Sequence, residues 1–351
     1  MSHRRQRPAK RATIKDVAQA AGVSITTVSN VLNDRTEAMT DATLQRIQET
    51  IQALDYRPNK VARSLVTKST ATIGVIVVEI ETPLFLQALN VIEPIARSAN
   101  HNILLCTTAH DLHDEAQAIS LLLEKQIDGL IFLSTSVYAG DNFLVHLPSS
   151  SPPVILINRA VAYHEGVDQI SFDNVQGMVE AIDHLAGLGH ERIAHLYGPL
   201  SRHSSIQRLE GYRLGLEKHG LPYCEAYLRP ADYQMSQGLW EQSTLELLEV
   251  NPRPTAIIGA NDIIAATAMR TVQRAGLRVP EDMSVVGIDD QPFCTYLNPA
   301  LTTLQLPVLE AGKLAIEMLL ARIRGERTAT EHLILPCSLV GRESTGPAAP
   351  R

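Results

Sequence analysis

At 351 residues, 45% of them hydrophobic, the chain is long enough for two to three structural units with real cores. No apolar N-terminal run resembles a signal peptide or a membrane span. The four cysteines (Cys106, Cys224, Cys294, Cys337) lie far apart with no CxxC or histidine clustering, which argues against zinc and disulfides and fits a reducing cytoplasm. The net charge of −7 hides an asymmetry. Residues 1–70 hold twelve Lys/Arg against six Asp/Glu, a net of +6, leaving −13 on the remainder. A basic head on an acidic body is the distribution expected where only the head meets phosphates.

Residues 1–11, MSHRRQRPAKR, read as a basic disordered arm. Thr13 followed three residues later by Asp16 makes a capping box, so a helix starts at Ile14. Ile14, Val17, Ala18 and Ala21 share one face, and Gly22 ends the helix at a turn that favours positive φ. Ser24 is an N-cap for a second helix with Val28, Val31 and Leu32 inward. Ile25, Thr26, Ser29 and Asn30 lie on its other faces, available to base edges. Two short helices about a Gly-Val turn form the pattern of a helix-turn-helix, although a three-helix bundle with no nucleic-acid role has the same pattern. Thr40 caps a third helix, 41–54, with Leu44, Ile47, Ile51 and Leu54 inward. Pro58 then pushes Arg57 out of the helical region. Asn59 caps one more short helix, KVARSLV, which needs a partner chain or DNA to form and exposes Leu65.

From residue 71 the chain alternates strand and helix. Strands are expected at 72–78, 102–108, 129–135, 153–158, 169–173, 192–198, 255–260 and 284–289, most of them continuous apolar runs as in sheets buried on both faces. Helices are expected at about 84–98, 114–125, 174–188, 204–218, 236–249, 262–275 and 308–323. This order implies parallel sheets covered by helices, and so long a stretch implies two subdomains with a ligand cleft beyond the carboxyl ends of the strands. Polar residues gather there: Asn158 and Arg159, Asp173 and Asn174, Arg202 and Arg208, Asn261 and Asp262, Asp289 and Asp290. They suit a small polyhydroxylated or anionic ligand, although each singly is also a common cap or turn former. His184, His190, His195 and His203 are not paired at metal spacing, and His190 in GLGH reads as a turn residue. Neither GxGxxG nor GxSxG occurs, so nothing in the pattern points to an enzyme.

ATIKDVAQAAGVSITTVSNVLN at 12–33, then YRPNKVARSL and TIGVIV, GLIF at 129–132, GHERIAHLYGP at 189–199, RLEGY at 208–212, GAND at 259–262, GLRVPEDMSVVGIDD at 276–290 and PALTTL at 299–304 resemble the lactose/galactose-repressor family of bacterial transcription factors. The resemblance runs from about residue 12 to 345. It implies an all-α helix-turn-helix head on a body with the type I periplasmic-binding-protein-like fold, built from two parallel-sheet subdomains. The expected organisation is a head at 12–57, a hinge at 58–70, a body at 71–345 and a disordered tail at 346–351. Within the body the subdomains are expected at roughly 71–170 plus 305–334 and at 171–304 plus 335–345.

The resemblance also implies roles. Ile25, Thr26 and Asn30 occupy the positions that vary with operator sequence, and Leu65 matches a leucine wedged into the minor groove at the operator centre. Thr13, Ser24, Thr27, Ser29, Asn33, Tyr56, Asn59 and Arg63 are expected at phosphates. Phe85, Asn158, Arg159, Arg202, Arg208, Tyr233, Asn261 and Asp289 are expected to hold the effector. Leu84 replaces the first aromatic of the family's Pro-aromatic-Phe turn, and Glu79 and Glu81 are unusual acids nearby. The implied partners are double-stranded operator DNA, a small-molecule effector (a sugar, sugar acid or related metabolite) and a second copy of the chain. No cofactor, metal or membrane is implied. Without leucine heptads at the C-terminus, a dimer is expected instead of a tetramer. Control by a protein coregulator or by a purine or nucleoside remains the alternative; residues 83–98 carry only Arg97 as a cation, which argues against a basic docking patch there.

Overall fold

The computed structural model describes residues 12–32, 35–36, 39–56, 69–78, 83–108, 112–133, 147–148, 151–159, 166–233 and 237–348. Asn33, Asn59, Arg63 and Leu65, with the arm, most of the hinge, Glu79 and Glu81, fall outside them, as does the side chain of Phe85. The chain divides into two compact units, residues 1–70 and 71–351.

In the first unit, α1 (Ile14–Ala21) begins at the expected capping box. The Asp16 amide donates to Thr13 Oγ1, and the Thr13 amide donates to the Asp16 carboxylate at 2.7 Å. Gly22 at φ 65 closes the helix, its amide bonding the Ala18 and Gln19 carbonyls. α2 (Ile25–Leu32) starts where the Thr27 amide donates to Ser24 Oγ at 3.0 Å. Val17, Ala18, Ala21, Val28 and Val31 meet Ile47 of α3 (Asp41–Ala53) in one small core. Two details differ from the sequence reading. The Thr40 hydroxyl bonds the Thr43 hydroxyl in place of a backbone amide. Leu54 is exposed, because the helix ends at Ala53 and the Tyr56 amide turns back to the Ile51 carbonyl, packing Tyr56 on the core instead.

The second unit has two six-stranded sheets. Lobe A orders its strands β11-β5-β4-β3-β1-β2, all parallel: β1 (Thr72–Val77), β2 (Asn102–Thr107), β3 (Gly129–Leu133), β4 (Val154–Ile157), β5 (Val167–Phe172) and β11 (His332–Leu335). Lobe B orders β12-β10-β9-β8-β6-β7: β6 (Ile193–Tyr197), β7 (Leu228–Pro230), β8 (Ala256–Gly259), β9 (Ser284–Ile288), β10 (Thr302–Gln305) and β12 (Ser338–Val340), with only β12 antiparallel. The helices are α4 (Pro83–Ser98), α5 (Leu112–Glu124), α6 (Asn174–Gly187), α7 (His203–Lys218), α8 (Gln237–Glu249), α9 (Asp262–Arg274) and α10 (Val308–Ile323). The chain passes between lobes three times: after β5, after β10 into α10, and between β11 and β12.

β1, β3 and β4 are buried along nearly their whole length, as their continuous apolar sequences require. β2 alternates exposed and half-buried residues because it is an edge. α6 and α7 come into backbone contact. A Cβ on Gly211 would stand 2.3 Å from the Val175 carbonyl oxygen, so only glycine permits the approach. All eight expected strands and seven expected helices are present. β7, β10, β11 and β12, three or four residues long, were not expected. Residues 346–348 correct the expectation of a disordered tail. The Gly346 amide donates to Ser284 Oγ at 3.1 Å, its carbonyl faces His190 Nε2 at 3.0 Å, and the Ala348 amide donates to the Leu188 carbonyl. His190 closes the expected turn through its amide to the Leu185 carbonyl and is also a buried clasp whose Nδ1 meets Thr255 Oγ1; burial lowers its pKa.

Candidate functional site

On the head, α2 turns Val28 and Val31 inward, which leaves Ile25 and Thr26 exposed and Ser29 and Asn30 half-buried. Ile25 is a large apolar side chain at 43% exposure on a helix whose other apolar groups are packed. An apolar contact flanked by hydroxyls and an amide can read a thymine methyl beside base-edge donors and acceptors. Ser24 and Thr27, expected at phosphates, bond each other's hydroxyls at 2.8 Å. Thr13 is engaged with Asp16, and Tyr56 packs on the core, burial raising its pKa.

In the body, the C-terminal ends of β4, β6, β8 and β9 carry the expected cleft residues. Arg208, in the second turn of α7, is 5% exposed and reaches back over the strand ends. Its Nε donates to Asn174 Oδ1 at 3.0 Å and its Nη1 to the Ala260 carbonyl at 2.7 Å. Its Nη2 stands 3.8 Å from Asp289 Oδ1, too far for a hydrogen bond. Asn174, at the start of α6, is itself held by the Phe172 carbonyl and Gln207 Oε1. The guanidinium is therefore fixed by the protein itself, with one edge beside the carboxyl, so that one ligand oxygen could bridge the two groups from the side.

Asp289 sits at φ 117 and Asp290 at φ 50, backbone conformations that L-residues rarely adopt. Four neighbours hold this bend. Asp290 pairs with Arg342 and accepts from Gln305 Nε2; the Gln291 amide donates to Asp262 Oδ2 at 2.7 Å; and Asp262 Oδ1 accepts from the Thr303 hydroxyl. Burial pushes Asp262 up to about 6, against the opposing hydrogen bonds from Gln291 and Thr303. Burial pushes Asp289 up to about 8, with Arg208 opposing and Asp262 adding to the rise.

The remaining residues divide. Asn158, at φ 56, ends β4; its Nδ2 is buried with no hydrogen-bond partner among the described residues. Tyr233 is half-buried, its hydroxyl 3.2 Å from Ser205 Oγ, and it lies so close to Gly198 that a Cβ there would come within 2.2 Å of the hydroxyl oxygen. Arg202 is half-buried at the start of α7. Asn261 uses its side-chain oxygen to cap α9 through the Ile264 amide at 2.9 Å. Arg159 corrects the sequence reading. It is engaged in a buried bidentate pair with Glu115 in the first turn of α5 at 2.8 and 3.0 Å, its guanidinium 5.5 Å from the Phe132 ring centre. Its position next to Asn158 looked like a second cleft cation, but the αL residue before it sends the side chain down among α5 and β3.

Sequence reasoning missed Asn174 as the holder of Arg208, and it missed Gln291. Gln291 is 2% exposed, its Oε1 accepts from Gln87 of α4 at 3.2 Å, and its Nε2 has no partner among the described residues. Its place two residues beyond Asp289 was a usable signal. Among the described residues no cluster of three or more His, Cys, Asp and Glu is placed to hold a metal, and no helix is long and apolar enough to cross a membrane.

These two sites can be set beside known proteins. Residues 13–59 match the family model of bacterial regulatory proteins, lacI family, and residues 182–345 match that of the periplasmic binding protein-like domain. The HTH-type transcriptional regulator DegA of Bacillus subtilis is 34% identical over 95% of this chain and 98% of its own length. The HTH-type transcriptional repressor PurR of Aliivibrio salmonicida is 33% identical over 95% and 98%. Among solved structures, the lac repressor dimer bound to operator and the anti-inducer ONPF superposes with a TM-score of 0.83 at 30% identity, covering 96% of this chain and all of the other. The head and its helix-turn-helix, the two-lobed body with a polar cleft and this end-to-end likeness together place the chain in the lacI family of bacterial transcriptional regulators.

Proposed function

We propose that this protein is a repressor that binds a pseudo-palindromic operator as a dimer and releases or grips it according to a small polar effector, a sugar or sugar derivative, held between lobes A and B. The observation that carries the effector reading is Arg208, fixed by Asn174 and the Ala260 carbonyl and facing Asp289 across 3.8 Å. A cation and a carboxyl side by side at that spacing can both be met by vicinal hydroxyls laid across them. Asn158 and Gln291 add amide donors, and Tyr233 and the Phe85 position supply apolar walls. Arg202 reaches the ligand from the start of α7. The likeness to a repressor solved as a dimer on its operator supports the DNA reading.

Ile25, Thr26 and Asn30 read base edges, while Thr13, Ser24, Thr27, Ser29, Asn33, Tyr56, Asn59 and Arg63 position the head on phosphates. Leu65 wedges into the minor groove. Effector binding changes the angle between the lobes, and the hinge segments of the two chains form or melt with it, a coupling of about 1–3 kcal/mol. The site of action is the cytoplasm, where the operator is.

A thermal-shift screen of the full chain against sugars, sugar acids, sugar phosphates, nucleosides and purines tests the effector reading. A ligand specific for the folded state at a hundredfold over its Kd adds about 2.7 kcal/mol. The expected result is a stabilising compound whose effect disappears in Arg208→Ala. A panel with no effect, or a shift that survives that substitution, overturns the cleft reading. Leu65→Ala is expected to weaken operator binding and abolish most of the DNA bend; an unchanged bend in a fluorescence assay removes the wedge.

A further inference from the structure

Gln87 and Gln291 belong to opposite lobes. Gln87 lies in the second turn of α4, which follows β1 of lobe A, and Gln291 lies just beyond β9 of lobe B. The Gln87 amide donates to Gln291 Oε1 at 3.2 Å, so a hydrogen bond spans the two sets of strand ends. Gln291 is not free to swing. Its backbone amide is tied to the buried Asp262 carboxylate at 2.7 Å, and its side chain is 2% exposed. A buried side-chain amide carries the full desolvation cost of each group left unpaired. The bond from Gln87 satisfies the oxygen half of that amide and leaves the nitrogen half, which has no partner among the described residues, as an unused buried donor. In a site shielded from water such a bond is stronger than at the surface.

We propose that Gln87 and Gln291 form a latch that holds the two lobes together before the effector arrives, and that Gln87 is a positioning residue that aims the Gln291 amide at the effector. The proposal takes its functional meaning from the cleft being the effector site. Its structural content, a bond that couples α4 to the loop after β9, is independent of that reading. Without an effector the latch keeps α4 coupled to the loop after β9. An effector then completes a cleft whose donor is already in place, which reduces the ordering that binding requires.

The test uses the full chain with no ligand, so its failure is distinguishable from failure of the effector reading. Hydrogen exchange is followed in Gln87→Ala, Gln291→Leu and Gln291→Glu, and thermal midpoints in a cycle of Gln87→Ala, Gln291→Leu and the double variant. A latch predicts reciprocal effects at a distance in sequence. Gln87→Ala speeds exchange over 289–297, and Gln291→Leu speeds it over 83–92. Gln291→Glu keeps the accepting oxygen and retains near-wild-type protection over 83–92. The double variant loses no more than about 2 °C beyond the worse single variant. Exchange altered only around each substituted residue, or midpoint losses that add, overturns the proposal.

Discussion

Replacing Gly287 with alanine tests the account of the Asp289–Gln291 bend at its base. Gly287 lies in β9, and a Cβ built on it would stand 2.2 Å from Asp262 Oδ1 and 2.9 Å from Leu301 Cδ2. Asp262 cannot step aside cheaply: it is buried, Thr303 and the Gln291 amide hold its two oxygens, and it starts α9. Displacing it forfeits two hydrogen bonds to a charged group, about 1.5–3 kcal/mol each, and adds overpacking of about 1–3 kcal/mol, so partial relaxation leaves an expected loss of about 3–5 kcal/mol. For a body of this size that is a midpoint lower by about 10 °C, read by calorimetry on the full chain. Gly341→Ala is the control, since nothing lies within 4 Å of the Cβ it would carry. A Gly287→Ala midpoint within about 2 °C of wild type would refute the reasoning, because it would mean that the Asp262 carboxylate is not held as the geometry indicates.

Three further outcomes follow from the same geometry. Gly198→Ala meets the far end of the Tyr233 side chain, which can swing, so stability falls by only about 1 kcal/mol while affinity for any stabilising compound from the screen drops at least several-fold in calorimetric titration. Asp289, raised to about 8, holds its proton more tightly in the folded chain than in the unfolded one, where a carboxyl titrates near about 3.9. Its contribution is therefore complete below the unfolded value and is lost as pH rises toward 8; thermal midpoints should fall across that window and fall less in Asp289→Asn. Arg159→Met strands the buried Glu115 carboxylate and should cost about 3–5 kcal/mol in denaturant unfolding, most of it recovered by adding Glu115→Leu.

The sequence was most legible where apolar periodicity and caps agreed. The Thr13–Asp16 box, the Gly22 turn and the runs TIGVIV and GLIFL each name their element, because buried strands and capped helices leave little freedom in residue type. β10 escaped because its Thr302 and Thr303 are fully buried yet polar, their hydroxyls satisfied by Thr345 and Asp262, so no apolar run marks a central strand. The cleft was legible as a set of strand-end polar residues, but not as an arrangement. Arg208 and Arg159 look alike in sequence. One is steered by Asn174 toward Asp289, and the other is captured by Glu115, a partner 44 residues earlier. Gln87 and Gln291 lie 204 residues apart, and only the folded chain brings them together. Whether Asn261 caps a helix or lines a cleft is likewise a matter of where its oxygen points, and it points to the Ile264 amide.

The position of α10 has a consequence for how the protein is made. Its Ala311, Ala315, Ile316 and Leu319 share a core with Ile73, Ile131 and Ile155 of lobe A, and a Cβ on Gly129 would strike Leu319 at 2.8 Å. Lobe A is thus synthesised early, with α4 covering part of this face, but the part that α10 covers stays open until the ribosome has finished all of β6 to β10. At ordinary elongation rates that interval is about 10–30 s, long enough for a nascent sheet to meet other chains. A ribosomal pause placed after β5 is therefore expected to lower the yield of soluble protein without changing a single residue.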